Sequence, residues 1–210
     1  MPSIQKTDNN FEAITPQRDG YLRFGKASRQ KLTEEEAGQL LSLTTLSLSA
    51  FNVNNCRFVL VRDPDLRKQI NKFSLNSSPV PNQASLIILC ADLTPGETRP
   101  AAEGEEDTGE RLEGATSRKK SAQRDDYHLQ RDDALCSCGI AAQTLMLTAK
   151  AMGYDSWRLE AFDTHGVGKL INLPENFLVA IILVVGKHMK QSWQHVSQFN
   201  FHDVVVLDQF

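Results

Sequence analysis

At 210 residues the chain suits one large domain, and 40% hydrophobic with 23% charged residues is the composition of a folded globular protein with a sizeable core. A net charge of −3 argues against a nucleic-acid binder, and the short basic run Arg118, Lys119, Lys120 stands beside acidic residues and does not alter that. No apolar run reaches the roughly 18 residues of a membrane span, and residues 1–17 lack the apolar segment of a signal peptide, so a cytoplasmic protein is expected.

Residues 1–30 carry little periodicity. Thr33 followed by Glu36 spells a capping box, and Leu40, Leu41, Leu43 and Leu46 supply the buried face of the helix it opens. Polar residues 47–55 interrupt that helix. Residues 57–62 (RFVLVR) read as a short strand. Asp63 and Pro64 then start a second helix, with Leu66, Ile70 and Phe73 along one face. Ser85–Asp92 (SLIILCAD) is apolar along most of its length, the pattern of a central strand.

Residues 94–126 are rich in Glu, Gly, Arg, Thr and Ala and poor in large apolar residues, which predicts a mobile loop or a lid. Residues 133–152 form the most apolar helix and end at Gly153. A helix apolar nearly all round needs cover nearly all round, here from its own sheet and from a second subunit. Residues 154–162, a helical piece reaching Lys169 and Leu170, a strand over 178–185 and a last strand over 203–207 follow. Strands and helices interleave, which predicts a single α+β domain over residues 1–210 with a central mixed sheet.

Cys90 lies in an apolar strand as a small hydrophobe, and Cys136 with Cys138 forms a lone C-x-C without the second pair a zinc site needs. No metal centre is expected. Met146 and Met152 read as core filler, and His128, His165, His188 and His202 have no partners in sequence that suggest catalysis.

Four segments in order resemble the nitroreductase family of FMN-dependent, NAD(P)H-using oxidoreductases. Residues 47–58 (SLSAFNVNNCRF) are similar to the family's S-P-[ST]-x-x-N-x-Q-x-W-x-F, with proline, glutamine and tryptophan replaced. Residues 85–93 (SLIILCADL) resemble its central strand. Residues 138–149 with Met152, Gly153 and Tyr154 resemble its dimer-core helix, and residues 160–163 (EAFD) with 170–174 (LINLP) its [DE]-G-F-D and following elements.

The resemblance implies a mainly antiparallel mixed sheet flanked by helices in an intertwined homodimer, with FMN at the dimer interface and NAD(P)H as electron donor. It implies cofactor contacts at Arg18, Gly20, Ser47, Leu48, Ser49, Asn52, Asn54, Glu160, Ala161, His195 and Gln198. Ser47, Ser49 and Asn52 would meet ribityl or phosphate oxygens, and Asn54 replaces the family's glutamine. Glu160 and Ala161 would offer backbone N–H groups near flavin N5 and O4; alanine in place of the family's glycine is tolerable unless φ is positive there. His195 offers charge that titrates near neutral pH.

The basic grip on the phosphate departs from the family: Asp19, Gly20 and Leu22 stand where two cations and a serine are usual, and Arg23 is one position off. Taken alone, the small polar residues of 47–54 also read as turn residues between helix and strand. Arg158 reads as a surface residue or, by the resemblance, as a cation that stabilises the anionic reduced flavin near N1. The implied activity is hydride transfer from NAD(P)H through flavin N5 to a nitroaromatic, quinone or related acceptor, with no side chain as acid or nucleophile. The alternative is a homodimer of this fold that has lost tight FMN binding and serves as a ligand-binding or structural protein.

Overall fold

Eight consecutive residues, Ser85–Asp92, are buried from end to end. Both faces of this strand need cover, and both of its edges need partners. The structure, a computed structural model, describes residues 22–24, 31–46, 55–73, 84–94, 126–159, 161–187, 189–191 and 204–208. In chain order these form β1 (Leu22–Phe24), α1 (Glu34–Thr45), β2 (Cys56–Val61), α2 (Pro64–Lys72), β3 (Ser85–Asp92), α3 (Tyr127–Ala151), β4 (Asp155–Leu159), α4 (Thr164–Leu170), β5 (Phe177–Gly186) and β6 (Met189–Gln191).

The main sheet runs β2-β3-β5-β4, antiparallel at every described pairing, and β1 pairs with β6 in a separate two-stranded ladder. Alternation along β3 sends Leu86, Ile88 and Cys90 to one face, where Ile70 of α2 and Val167 of α4 pack on them. Ile87 and Leu89 face the other way, onto Leu40 of α1 and Ala141, Leu145 and Ala149 of α3. The fold is thus a sheet with helices on both faces, α2 and α4 on one, α1 and α3 on the other.

Local signals set most boundaries. The Thr33 side chain accepts from the Glu36 backbone N–H while the Glu36 carboxylate accepts from that of Thr33, which closes the capping box. Asp63 caps α2 with Pro64 at its first position. Gly153 takes φ +79 just past α3, a left-handed stop that glycine adopts without steric cost.

Two expectations change. α3 begins at Tyr127, well before residue 133, because the Asp126 carboxylate accepts from the backbone N–H groups of His128 and Leu129. Its first turns are polar and exposed, so apolar periodicity does not reveal them. α3 is covered by its own sheet on one side only, as the expectation of further cover from a second subunit requires: Ile140 is 44% exposed, and Cys136, Gly139 and Gln143 share its open side. Finally, residues 204–208 form no strand and lie exposed; a strand needs a ladder partner, and none pairs with them among the described residues.

By length and composition α3 could cross a membrane, but its buried residues pack on the sheet and Arg131, Asp132 and Asp133 occupy its early turns. The lid or loop expected over residues 94–126 lies, apart from its two ends, outside the described residues.

Candidate functional site

Antiparallel register brings separate stretches of sequence to one end of the sheet. Cys56 opens β2 opposite Ala91, and Asp92 closes β3 opposite Phe177, the first residue of β5. β4 runs toward the same end, with Leu159 paired to Ile182 and Ala161 two residues further on. Asn55, at the entry to β2, Thr94, just past β3, and Ala161 all lie at this end.

Ala161 has φ +51. An L-residue pays about 1–2 kcal/mol for that left-handed conformation, so the exchange of glycine for alanine is strained rather than free. The turn is nonetheless fixed from behind. Asp163 N donates to the Phe73 carbonyl at 3.0 Å, and the Asp163 carboxylate caps α4 by accepting from His165 N and Gly166 N, both at 3.0 Å. Gly166 is buried against Phe73 so closely that a Cβ would lie 2.3 Å from the ring.

A polar network ties the neighbouring strand ends together. Asp92 N donates to the Asn55 carbonyl at 2.8 Å. The wholly buried Asp92 carboxylate accepts from Arg57 Nη2 at 3.3 Å and from Thr94 N at 3.0 Å. Thr94 Oγ1 in turn accepts from Asn176 Nδ2 at 2.8 Å, and Leu93 N donates to the Asn176 carbonyl at 2.9 Å. Asn55, 5% exposed, donates through Nδ2 to Asp133 on α3 at 3.0 Å, while its Oδ1 is buried and meets no donor among the described residues. Such an unmet acceptor costs about 1–3 kcal/mol.

On the α2/α4 face of the same end lies a cavity of about 570 Å³, with His165, Lys169, Asn172 and Glu175 exposed around Leu173 and Val179. On the α3 face, Cys56 packs with Cys138, Ala91 and Ala134. The Cys56 thiol is raised above the ordinary range by its hydrogen bond with the Cys138 thiol and by burial, and burial pushes Cys90 up to about 12. All four cysteines are free. Among the described residues no group of three or more His, Cys, Asp or Glu is placed to hold a metal ion.

The far end of the sheet carries a separate cluster. Glu36 holds a hydrogen bond with Tyr154, which with the capping contact from Thr33 lowers its carboxyl to about 2; Lys187 lies 4.6 Å from the Tyr154 ring centre. This joins α1, the turn after α3 and the end of β5, away from Ala161.

Of the cofactor residues implied by the sequence, Ala161 alone is among the described residues. Arg18, Gly20, Ser47, Leu48, Ser49, Asn52, Asn54, Glu160, His195 and Gln198 lie outside them. The sequence reading missed Asn55, Asp92 and Asp133. One signal was available: an aspartate ending a wholly apolar strand must find a donor when buried, and Arg57 stands on the adjacent strand.

Comparison with known proteins agrees with this architecture. The sequence model of the nitroreductase family matches residues 26–187. Protein DrgA of Synechocystis sp. is 33% identical over 187 residues, 88% of this chain and 86% of that protein. An oxygen-insensitive NADPH nitroreductase of Helicobacter pylori is 26% identical over 80% of this chain and 83% of its own length. Among solved structures, a protein of Exiguobacterium sibiricum crystallised in complex with FMN superposes with a TM-score of 0.81 at 17% identity, covering 96% of this chain and 98% of that one. The antiparallel four-stranded sheet with α2 and α4 on one face and α1 and α3 on the other is the nitroreductase-like fold. The chain belongs to the nitroreductase family.

Proposed function

We propose that the protein is an FMN-dependent oxidoreductase that takes reducing equivalents from NAD(P)H and passes them to a nitroaromatic, quinone or related acceptor. The observation that carries this reading is the convergence, at one sheet end, of Asn55 at the entry to β2, Asp92–Thr94 at the exit from β3 and the Ala161 turn. The described residues fit a flavin there in one respect: Ala161 is an exposed turn at the tip of β4.

In this reading, Ser47, Leu48, Ser49, Asn52 and Asn54 hold the ribityl chain and phosphate, with Arg18, Gly20, His195 and Gln198 toward the phosphate. Backbone N–H groups at Glu160 and Ala161 hold the pyrimidine edge. Bound FMN supplies the hydride chemistry. The chain's own residues bind, orient and leave one face open to donor and acceptor in turn, and no side chain is required as nucleophile.

The protein works as a homodimer with the site at its interface. Support comes from the open side of α3, with Ile140 44% exposed, and from residues 204–208, where Leu207 is 82% exposed and no strand among the described residues pairs with it. Free thiols at all four cysteines suit a reducing, cytoplasmic setting.

The test is the visible spectrum of the purified protein, with flavin released by heat and quantified, followed by NADH and NADPH oxidation with a quinone. Bound FMN with turnover is the expected result. A second reading, a homologue that has lost tight FMN binding and serves as a ligand-binding or structural protein, is favoured by the strained alanine at position 161. Colourless protein that also ignores added FMN would establish that reading in place of the first.

A further inference from the structure

We propose that Asn55 and Asp133 are positioning residues for the cofactor, acting through the entry to β2; this rests on the FMN reading above. Asn55 is the residue at which residues 47–54 join the folded body. Its backbone is fixed to β3 by the Asp92 N–H and its side chain to α3 by Asp133 Oδ2, a contact 78 residues apart in sequence. Two bonds to different elements, on a residue 5% exposed, fix both the place and the orientation of this junction.

The Asp133 carboxylate also decides which way the amide points. An ionised carboxylate only accepts, so Asn55 must turn its NH₂ toward Asp133 and its Oδ1 away. That oxygen is buried and meets no donor among the described residues. A protein seldom leaves such an atom unmet. Asp133 thus sets, from α3, the orientation of the Asn55 side chain at the entry to β2, with Oδ1 turned away from the carboxylate. Asp92, through Thr94 N and Arg57, holds the exit from β3 at the same level. The two stems flanking the site are thus referenced to one another through the Asn55 carbonyl and the Asp92 N–H.

The experiment compares FMN dissociation constants and urea midpoints for the flavin-free full chain and its Asp133→Ala, Asp133→Asn and Asn55→Ser forms. Leu40→Ala, a core truncation on α1, serves as the purely structural comparison. Asp133→Ala and Asn55→Ser should weaken FMN by about tenfold or more, the scale of one charge-assisted hydrogen bond. Asp133→Asn keeps an acceptor oxygen and should stay within about threefold of the parent, as should Leu40→Ala despite its lower urea midpoint. The proposal is overturned if Asp133→Ala lowers the midpoint and leaves the dissociation constant unchanged, or if Asp133→Asn is as weak as Asp133→Ala. Should the parent protein bind no FMN, the functional reading fails on its own. The positioning claim is then read from amide hydrogen exchange in the peptide spanning 47–56. Faster exchange in Asp133→Ala but not in Asp133→Asn or Leu40→Ala upholds it, and equal exchange in all four refutes it.

Discussion

Gly166→Ala is the sharpest probe of how the Ala161 turn is supported. The new Cβ would lie 2.3 Å and 2.4 Å from Phe73 Cε1 and Cδ1 and 2.7 Å from Asp163 Oδ2. None of these separations is tolerable, so the ring, the carboxylate or α4 must shift. Overpacking of this kind costs about 1–3 kcal/mol. Displacing the Asp163 carboxylate, which accepts from both His165 N and Gly166 N, costs about 1 kcal/mol more. Alanine's better helix propensity returns about 1 kcal/mol. The net expectation is a loss of about 1–3 kcal/mol, read as a lower midpoint in urea unfolding. Gly38→Ala, in α1 with nothing within 4 Å of its Cβ, is the control and should be neutral or stabilising. Because Asp163 N is bonded to the Phe73 carbonyl, the same collision is transmitted to residue 161, and FMN affinity should fall as well. If Gly166→Ala matches or exceeds the parent in stability, the Phe73 contact does not brace the turn and the reasoning fails.

Other consequences can be checked on the same protein. Ala161→Gly relieves a left-handed alanine and should stabilise the fold by about 1 kcal/mol or less, the strain relief being partly offset by glycine's freedom in the unfolded chain; a destabilised variant in thermal unfolding would refute the strain. Of the four thiols only Cys136 is exposed on the single chain, and it lies on the open side of α3, so a maleimide at neutral pH should label it in dissociated monomer and be slowed in the homodimer, the other three reacting only in denaturant. Fast labelling of Cys56 would contradict its packing against Cys138. Glu36, lowered to about 2 by Tyr154 and Thr33, contributes stability that is present above its ordinary pKa of 4.5 and lost as pH falls toward 2. Tyr154, raised to about 12 by burial and by Glu36, contributes stability lost as pH climbs from 10 toward 12. Glu36→Gln should flatten the acid limb of a stability-versus-pH curve; an unchanged acid limb would rule out this pair as its source.

What was legible in the sequence was whatever local chemistry determines. The capping box at Thr33, the Asp63-Pro64 start and the apolar run Ser85–Asp92 all appear where the pattern puts them, because neighbouring residues alone decide them. The start of α3 was missed because its first turns carry polar residues held by a single capping aspartate rather than by apolar burial. The strain at Ala161 was foreseen only as a condition, since no residue type announces the φ of its own turn. Asn55 with Asp133 was invisible for a different reason: the contact exists only after β2 and α3 have packed, and nothing between them in sequence encodes it.

The central strand also shapes how this chain must come into being. β3 pairs on one side with β2, which precedes it closely, and on the other with β5, which lies far downstream beyond α3 and β4. During synthesis an apolar strand with high sheet propensity therefore waits with one edge unsatisfied until most of the remaining polypeptide has been made, the condition under which strands associate with the wrong chain. Asp92 ends β3 with a charge, the kind of residue that flanks an aggregation-prone strand as a gatekeeper, and in the finished fold its pairing with Arg57 of β2 braces the same strand end.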